Sequence, residues 1–167
     1  LDDLVTKYLP KFSNLKVLKN TDSSIDDVED LRISPTIKDL FMHNAGFSYN
    51  FLADPVGRQY DKIKLFHSDT TTLEEEIDKL AEVPLLYQPK TKWVYSVSMD
   101  VLGRILEVVL NDTLQNILQK NIFDPPEMNE TKFTVPLDSE HRLMTTYEFD
   151  QENSKLHGQK IEPQKIG

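Results

Sequence analysis

No cysteine occurs in the 167 residues. That excludes a disulfide framework and any thiolate metal site, and leaves the redox compartment open. The histidines, His43, His67, His141 and His157, are scattered, with no pair at helical ligand spacing. A glycine-rich phosphate loop is also absent, so no metal or other cofactor is expected. No apolar run approaches the roughly 18 to 20 residues needed to cross a bilayer, and no signal-peptide pattern opens the chain. There is no basic stripe, and the net charge is -9. Nucleic acid and anionic membrane are repelled by such a surface and are excluded as partners. What is present is ordinary for a soluble domain: 38% hydrophobic and 28% charged residues. The length suits one domain that buries about 70% of its unfolded surface.

Taken in order, residues 1 to 9 read as a short helix with Asp2 and Asp3 at its positive end, closed by Pro10. Residues 13 to 35 are polar, with acidic Asp22, Asp26, Asp27, Glu29 and Asp30, and are expected to be a solvated loop. Thr36 with Asp39 forms a capping-box pattern for a short helix that Asn44-Ala45-Gly46 closes, Gly46 taking a positive φ. His43 falls at the negative end of that helix, where a histidine is already favoured without a catalytic role. Residues 48 to 70 read as irregular, broken by Pro55 and Gly57. A second capping box, Thr72 with Glu75, precedes a helix with Leu73, Ile77, Leu80 and Ala81 on one face. The strongest helical stripe is Val101, Leu102, Ile105, Leu106, Val108 and Val109, the pattern of a buried helix. Asn111-Asp112 ends it, and Thr113 caps a further helix. Beyond Phe149 the composition is polar with few anchors, so residues 150-167 are expected to form a loose tail after a 1-149 domain.

Just before that stripe stands Pro89, Trp93, Tyr95-Ser96 and then Asp100-Val101-Leu102-Gly103. This order resembles the tyrosine box of the serine beta-lactamase-like hydrolases, which include class C beta-lactamases, DD-peptidases and small-ester esterases. Other blocks follow the same family in the same order. Leu1-Asp2-Asp3 with Lys7-Tyr8-Leu9-Pro10, the Thr36 to Phe47 segment, Ile122 to Met128 and Thr131 to Pro136 all resemble family segments. The resemblance implies a mainly α chain with long irregular segments, the helical domain portion of the beta-lactamase/transpeptidase-like fold. The complete parent would be α/β with an antiparallel sheet.

In that family a Ser-x-x-Lys box precedes the Leu-Asp-Asp segment and a Lys-Thr-Gly or His-x-Gly box follows the last segment matched here. Neither is present in those places, so the 167 residues resemble the middle of a serine hydrolase and are expected to be inactive alone. Serine is a poor nucleophile until a neighbour takes its proton. The resemblance gives that role, as general base and acid, to Tyr95. A phenol with a reference pKa of about 10 accepts a proton only where positive charge stabilises the phenolate. In the family the lysines of the two other boxes supply it. The plain alternative for Tyr95 is a buried tyrosine packed beside Trp93.

Substrate contacts are expected from Ser96, Val97, Phe47 and Tyr49, with Phe51 beside them. The alternatives are helix capping by Ser96 or Ser98 and aromatic packing under a long loop. Val97 stands where beta-lactamases carry an asparagine that contacts the substrate amide. Valine makes no such hydrogen bond, which turns the expectation from beta-lactams toward an esterase-like acyl hydrolase. Two further departures are Lys90 after Pro89, where the family has glycine, and Pro126-Glu127 in place of Leu-Gly. Both are expected to alter turns. Ser13-Asn14-Leu15-Lys16 fits Ser-x-x-Lys formally, but it follows the Leu-Asp-Asp segment instead of preceding it. The reading is therefore a parent that acts on a small ester or amide through an acyl-enzyme, in a periplasmic, secreted or other compartment. A non-catalytic binding or assembly module is the alternative. Apolar surface on the isolated chain is expected to drive self-association.

Overall fold

The structure, a computed structural model, describes residues 1-68, 70-150 and 153-159. It divides into two compact units, Leu1–Ile117 and Leu118–Gly167. Short helices alternate with two small antiparallel hairpins, so the described chain is mixed and not simply helical.

The first unit opens with two 3-10 turns, Val5–Lys7 and Pro10–Asn14. The short helix expected over residues 1 to 9 is only the three-residue turn ending at Lys7, and Pro10 instead starts the second turn, where its missing N–H is harmless. The segment read as a solvated loop contains a hairpin, β1 (Lys16–Leu18) paired with β2 (Val28–Asp30). Three-residue strands are too short to display an alternating pattern. What holds them is the burial of Val17 and Leu18 and Lys16–Asp30 and Lys19–Asp27 ion pairs. The acidic cluster thus partly serves the hairpin.

Helix α1 (Ile37–Phe41) begins at the predicted capping box: the Asp39 N–H donates to Thr36 Oγ1 at 3.3 Å, and the Thr36 N–H to Asp39 Oδ2 at 2.8 Å. The region read as irregular holds helix α2 (Pro55–Lys62). Pro55 sits at its first turn, where proline is favoured, and Asp54 caps it through the Gly57 N–H at 2.8 Å. Gly57 is required for closeness: a Cβ there would lie 2.4 Å from the Leu52 carbonyl oxygen. Helix α3 (Leu73–Leu80) carries the Thr72–Glu75 capping box as the sequence predicts. Helix α4 (Ser98–Leu110) ends at Asn111 in the left-handed conformation, φ 51°, and α5 (Leu114–Leu118) follows. Arg104 ties α4 to α3 through Glu74 at 2.6 Å.

One core unites this unit, with Leu40, Phe47, Tyr60, Leu80, Leu85 and Val101 among its least exposed members. Helix α4 is buried only at Ser98, Val101, Leu102, Gly103 and Ile105; Leu106, Val108, Val109 and Leu110 are exposed, contrary to the fully buried stripe expected. In the second unit a π-helical turn at Gln119–Phe123 and a 3-10 turn at Leu137–Arg142 precede a hairpin of β3 (Thr146–Asp150) and β4 (Lys155–Gln159). That hairpin runs through the start of the expected tail; residues 160-167 of the tail lie outside the described residues.

Candidate active site

The tyrosine box is held by backbone. Along the segment from His43 to Ser48, carbonyl groups accept hydrogen bonds from the segment from Leu86 to Val97. Leu86 N–H reaches Gly46 O at 2.8 Å, Lys90 N–H reaches Asn44 O at 2.8 Å, Val94 N–H reaches His43 O at 2.9 Å and Val97 N–H reaches Ser48 O at 3.1 Å. Gly46 makes this approach possible. Its φ is +97°, and a Cβ would lie 2.3 Å from the Tyr87 carbonyl oxygen. The glycine expected to end α1 thus also seats the chain that carries Tyr95.

The apolar face of α4 then pulls the box inward. Ser96, Val97 and Ser98 are 3%, 1% and 0% exposed, whereas Tyr95 immediately before them is 52% exposed. Ser96 Oγ lies 2.8 Å from Ser98 Oγ and 3.2 Å from His43 Nδ1, and neither serine caps α4. The side chain of Val97 belongs to the core. Phe47, expected in a pocket wall, is 1% exposed and packs against Phe12 with ring centroids 5.9 Å apart. Of the expected substrate residues, only Tyr49 shares the outer surface with Tyr95.

There the rings form a cluster, with Phe51 also 6.4 Å from Tyr95. Tyr49 stacks on Tyr95 at 5.6 Å and 10°, and on Phe51 at 4.6 Å and 28°. The His43 ring also lies 5.0 Å from Tyr95, and Trp93 meets His43 edge-on at 6.2 Å. Phe51 and Trp93 are largely exposed. Burial pushes the Tyr49 phenol above its ordinary range, and the charges of Asp100 and Tyr95 add to that. Asp100, in the first turn of α4, is itself raised by burial against one opposing hydrogen bond from its own backbone. No lysine or arginine pairs with it among the described residues, nor does any cation lie against the Tyr95 hydroxyl.

His43 is the residue that residue-by-residue reading missed. Its position at a helix end was accounted for, and nothing local ties it to Ser96, 53 residues later. The available signal was the block containing it, Thr36 to Phe47, which resembles the same family as the tyrosine box. Ser13, by contrast, donates to the Pro10 carbonyl at 2.7 Å within a 3-10 turn and has no base beside it among the described residues. No group of three or more acidic or histidine ligands is assembled among the described residues, and none of their helices is long and apolar enough to cross a membrane.

The chain is similar to several known proteins. The lovastatin esterase of Penicillium rubens is 32% identical over 138 residues, 80% of this chain and 33% of that protein. The structure of EstCE1, a hydrolase with promiscuous acyltransferase activity, superposes with TM-score 0.71 at 26% identity, over 95% of this chain and 38% of its own. A variant of the simvastatin synthase of Aspergillus terreus gives 0.70 at 25% identity, over 96% of this chain and 37% of its own. The chain therefore spans only about a third of the length of these relatives. Its fold is a fragment of the beta-lactamase-like fold, and the family described as Beta-lactamase matches residues 1–162. The chain belongs to the Beta-lactamase family.

Proposed function

We propose that this chain carries the tyrosine region of a serine acyl hydrolase or acyltransferase, with Tyr95 as the general base and acid. The observation that carries the reading is the contrast at the box. Its backbone is clamped and Ser96 to Ser98 are buried, yet the Tyr95 ring stands half outside on an aromatic wall. A phenol so held is fixed in position, as proton transfer to and from a reacting hydroxyl requires. Relatives named for esterase, acyltransferase and synthase activities support the class.

In the proposed reaction the phenolate oxygen of Tyr95 takes the proton of a nucleophilic serine as that serine attacks the ester carbonyl. The phenol then returns the proton to the leaving alkoxide, forming the acyl-enzyme. Water or an alcohol acceptor reverses the sequence. Tyr49 and Phe51 provide an apolar wall for the acyl or alcohol group, suited to an ester more than to a charged peptide. Ser96 and Val97, buried, act on the site by holding it. The helical-domain role of the chain within a larger α/β parent, and self-association through exposed Leu106, Val109 and Leu110, belong to the same proposal.

The test is Tyr95→Phe in the full-length protein, assayed with a short-chain nitrophenyl ester. Loss of the base should lower kcat by about 10²- to 10⁴-fold with the fold unchanged. Turnover within about threefold of the parent would end the reading and favour the binding module.

A further inference from the structure

Tyr95 is half exposed, and its ring is in contact with Tyr49, Phe51 and His43. We propose that His43 is the positioning residue for Tyr95, acting as a neutral imidazole locked in the Nε2-protonated form. The inference rests on the reading of Tyr95 as the working phenol, and it assigns to His43 no contact with the substrate.

Three observations carry it. First, α1 ends with His43 in the left-handed conformation, φ 51°. This conformation is uncommon for a residue other than glycine. The turn fixes both of its backbone groups, the N–H on Leu40 O at 3.1 Å and the carbonyl under Val94 N–H at 2.9 Å. The ring is thereby aimed at the tyrosine box.

Second, the ring edge is specified. The Ser96 N–H points at His43 Nδ1 at 3.3 Å. A backbone N–H is always a donor, so Nδ1 is the unprotonated nitrogen and the proton resides on Nε2. Ser96 Oγ lies 3.2 Å from the same nitrogen and joins Ser98 Oγ at the start of α4. The imidazole therefore receives the backbone of the very next residue after Tyr95. Were Nδ1 protonated, its hydrogen would face the Ser96 N–H and the contact would turn repulsive.

Third, the ring face is used as well. It lies 5.0 Å from the Tyr95 ring at 31°, and Tyr49 stacks on the same ring at 5.6 Å, so two rings contact Tyr95. One side chain thus sets both the backbone register and the ring orientation of the tyrosine, from a helix far away in sequence.

The experiment separates the two contributions in this chain. His43→Asn keeps an acceptor near the Nδ1 position and tolerates the left-handed backbone, whereas His43→Phe keeps a ring and removes the acceptor. Amide exchange at Ser96 is the first readout. Protection should fall about tenfold in His43→Phe and return to within about threefold of the parent in His43→Asn. Equal protection in all three proteins would overturn the proposal. The second readout needs no variant: long-range nitrogen NMR of the unmodified chain should show Nδ1 unprotonated while the ring is neutral, and a protonated Nδ1 would overturn the proposal even if His43→Phe does not fold. In the full-length protein, His43→Phe should lower kcat with KM nearly unchanged and His43→Asn should recover part of it. Both readouts on Ser96 and the imidazole hold whether or not Tyr95→Phe loses turnover, so failure here is distinct from failure of the catalytic reading.

Discussion

Residues 1-117 and the described residues after them use the same kinds of side chain in opposite ways. The first unit buries Leu40, Ile77, Leu80, Leu85 and Val101 in one core. In the second, Ile122, Phe133, Met144, Tyr147, Phe149 and Leu156 are exposed. Order there comes from the β3–β4 ladder, tight turns and pairs such as Arg142 with Glu130. Hydrogen bonds and surface ion pairs each contribute only about 1 kcal/mol net, whereas a buried aliphatic side chain contributes roughly 2 to 3. Apolar composition alone therefore does not locate stability; enclosure does.

The largest test of that contrast is a pair of truncations. Leu80→Ala should cost about 2 to 5 kcal/mol in urea unfolding, because Leu80 is fully enclosed. Leu156→Ala, at an exposed strand position, should cost less than about 0.5 kcal/mol. Comparable losses would show that the second unit hides a core of its own.

A smaller test lies within the first unit, where two enclosed carboxylates differ. Burial opposes ionisation of Glu76, but Lys79 at 2.6 Å, the Thr71 hydroxyl and the Phe66 N–H outweigh it and hold the group below the ordinary carboxylate range. A lowered native value means stability that is present above the unfolded-state value and lost as pH falls through the native one. Asp100 is raised by burial, so its sign is reversed: it adds stability below the unfolded-state value, lost as pH rises through the native one. Glu76→Gln should flatten the acid loss in a urea midpoint series. Asp100→Asn should stabilise the chain at neutral pH, and a neutral-pH loss would mean that the backbone hydrogen bond and the favourable helix-start position of its carboxylate outweigh burial.

The smallest expected effect compares one turn from each unit. Lys90 and Glu127, the two departures from family glycines, both adopt left-handed backbone, φ 68° and 58°. Left-handed geometry costs a non-glycine residue roughly 1 to 2 kcal/mol, and glycine returns part of that in chain entropy. Glu127→Gly should therefore stabilise its turn by about 0.5 to 1 kcal/mol, read from amide exchange over residues 119-128. Lys90→Gly should gain less, because Lys90 also faces the buried Asp39 carboxylate at 3.7 Å.

Much of this was legible beforehand where the signal is local. Both capping boxes, the helix after the tyrosine box, the positive φ of Gly46 and the family itself are written in short stretches, since a cap or a box acts within a few residues. The hairpin β1–β2 and helix α2 were not legible. The first is too short for periodicity, and the second begins with a proline that marks a helix start as readily as a break. The two glycine departures were visible as substitutions, but their backbone strain was not.

By itself the sequence determined the family and the tyrosine box on which the proposed chemistry centres, because Tyr95 and its flanks lie in one continuous run. Only the tertiary structure decided which neighbours serve it. Phe47 and Val97 turned into the core and Ser96 toward His43, while Tyr49 and Phe51 stayed outside with Tyr95. Side-chain direction depends on which backbones pair, and the pairing of residues 43-48 with 86-97 joins segments that no local pattern connects.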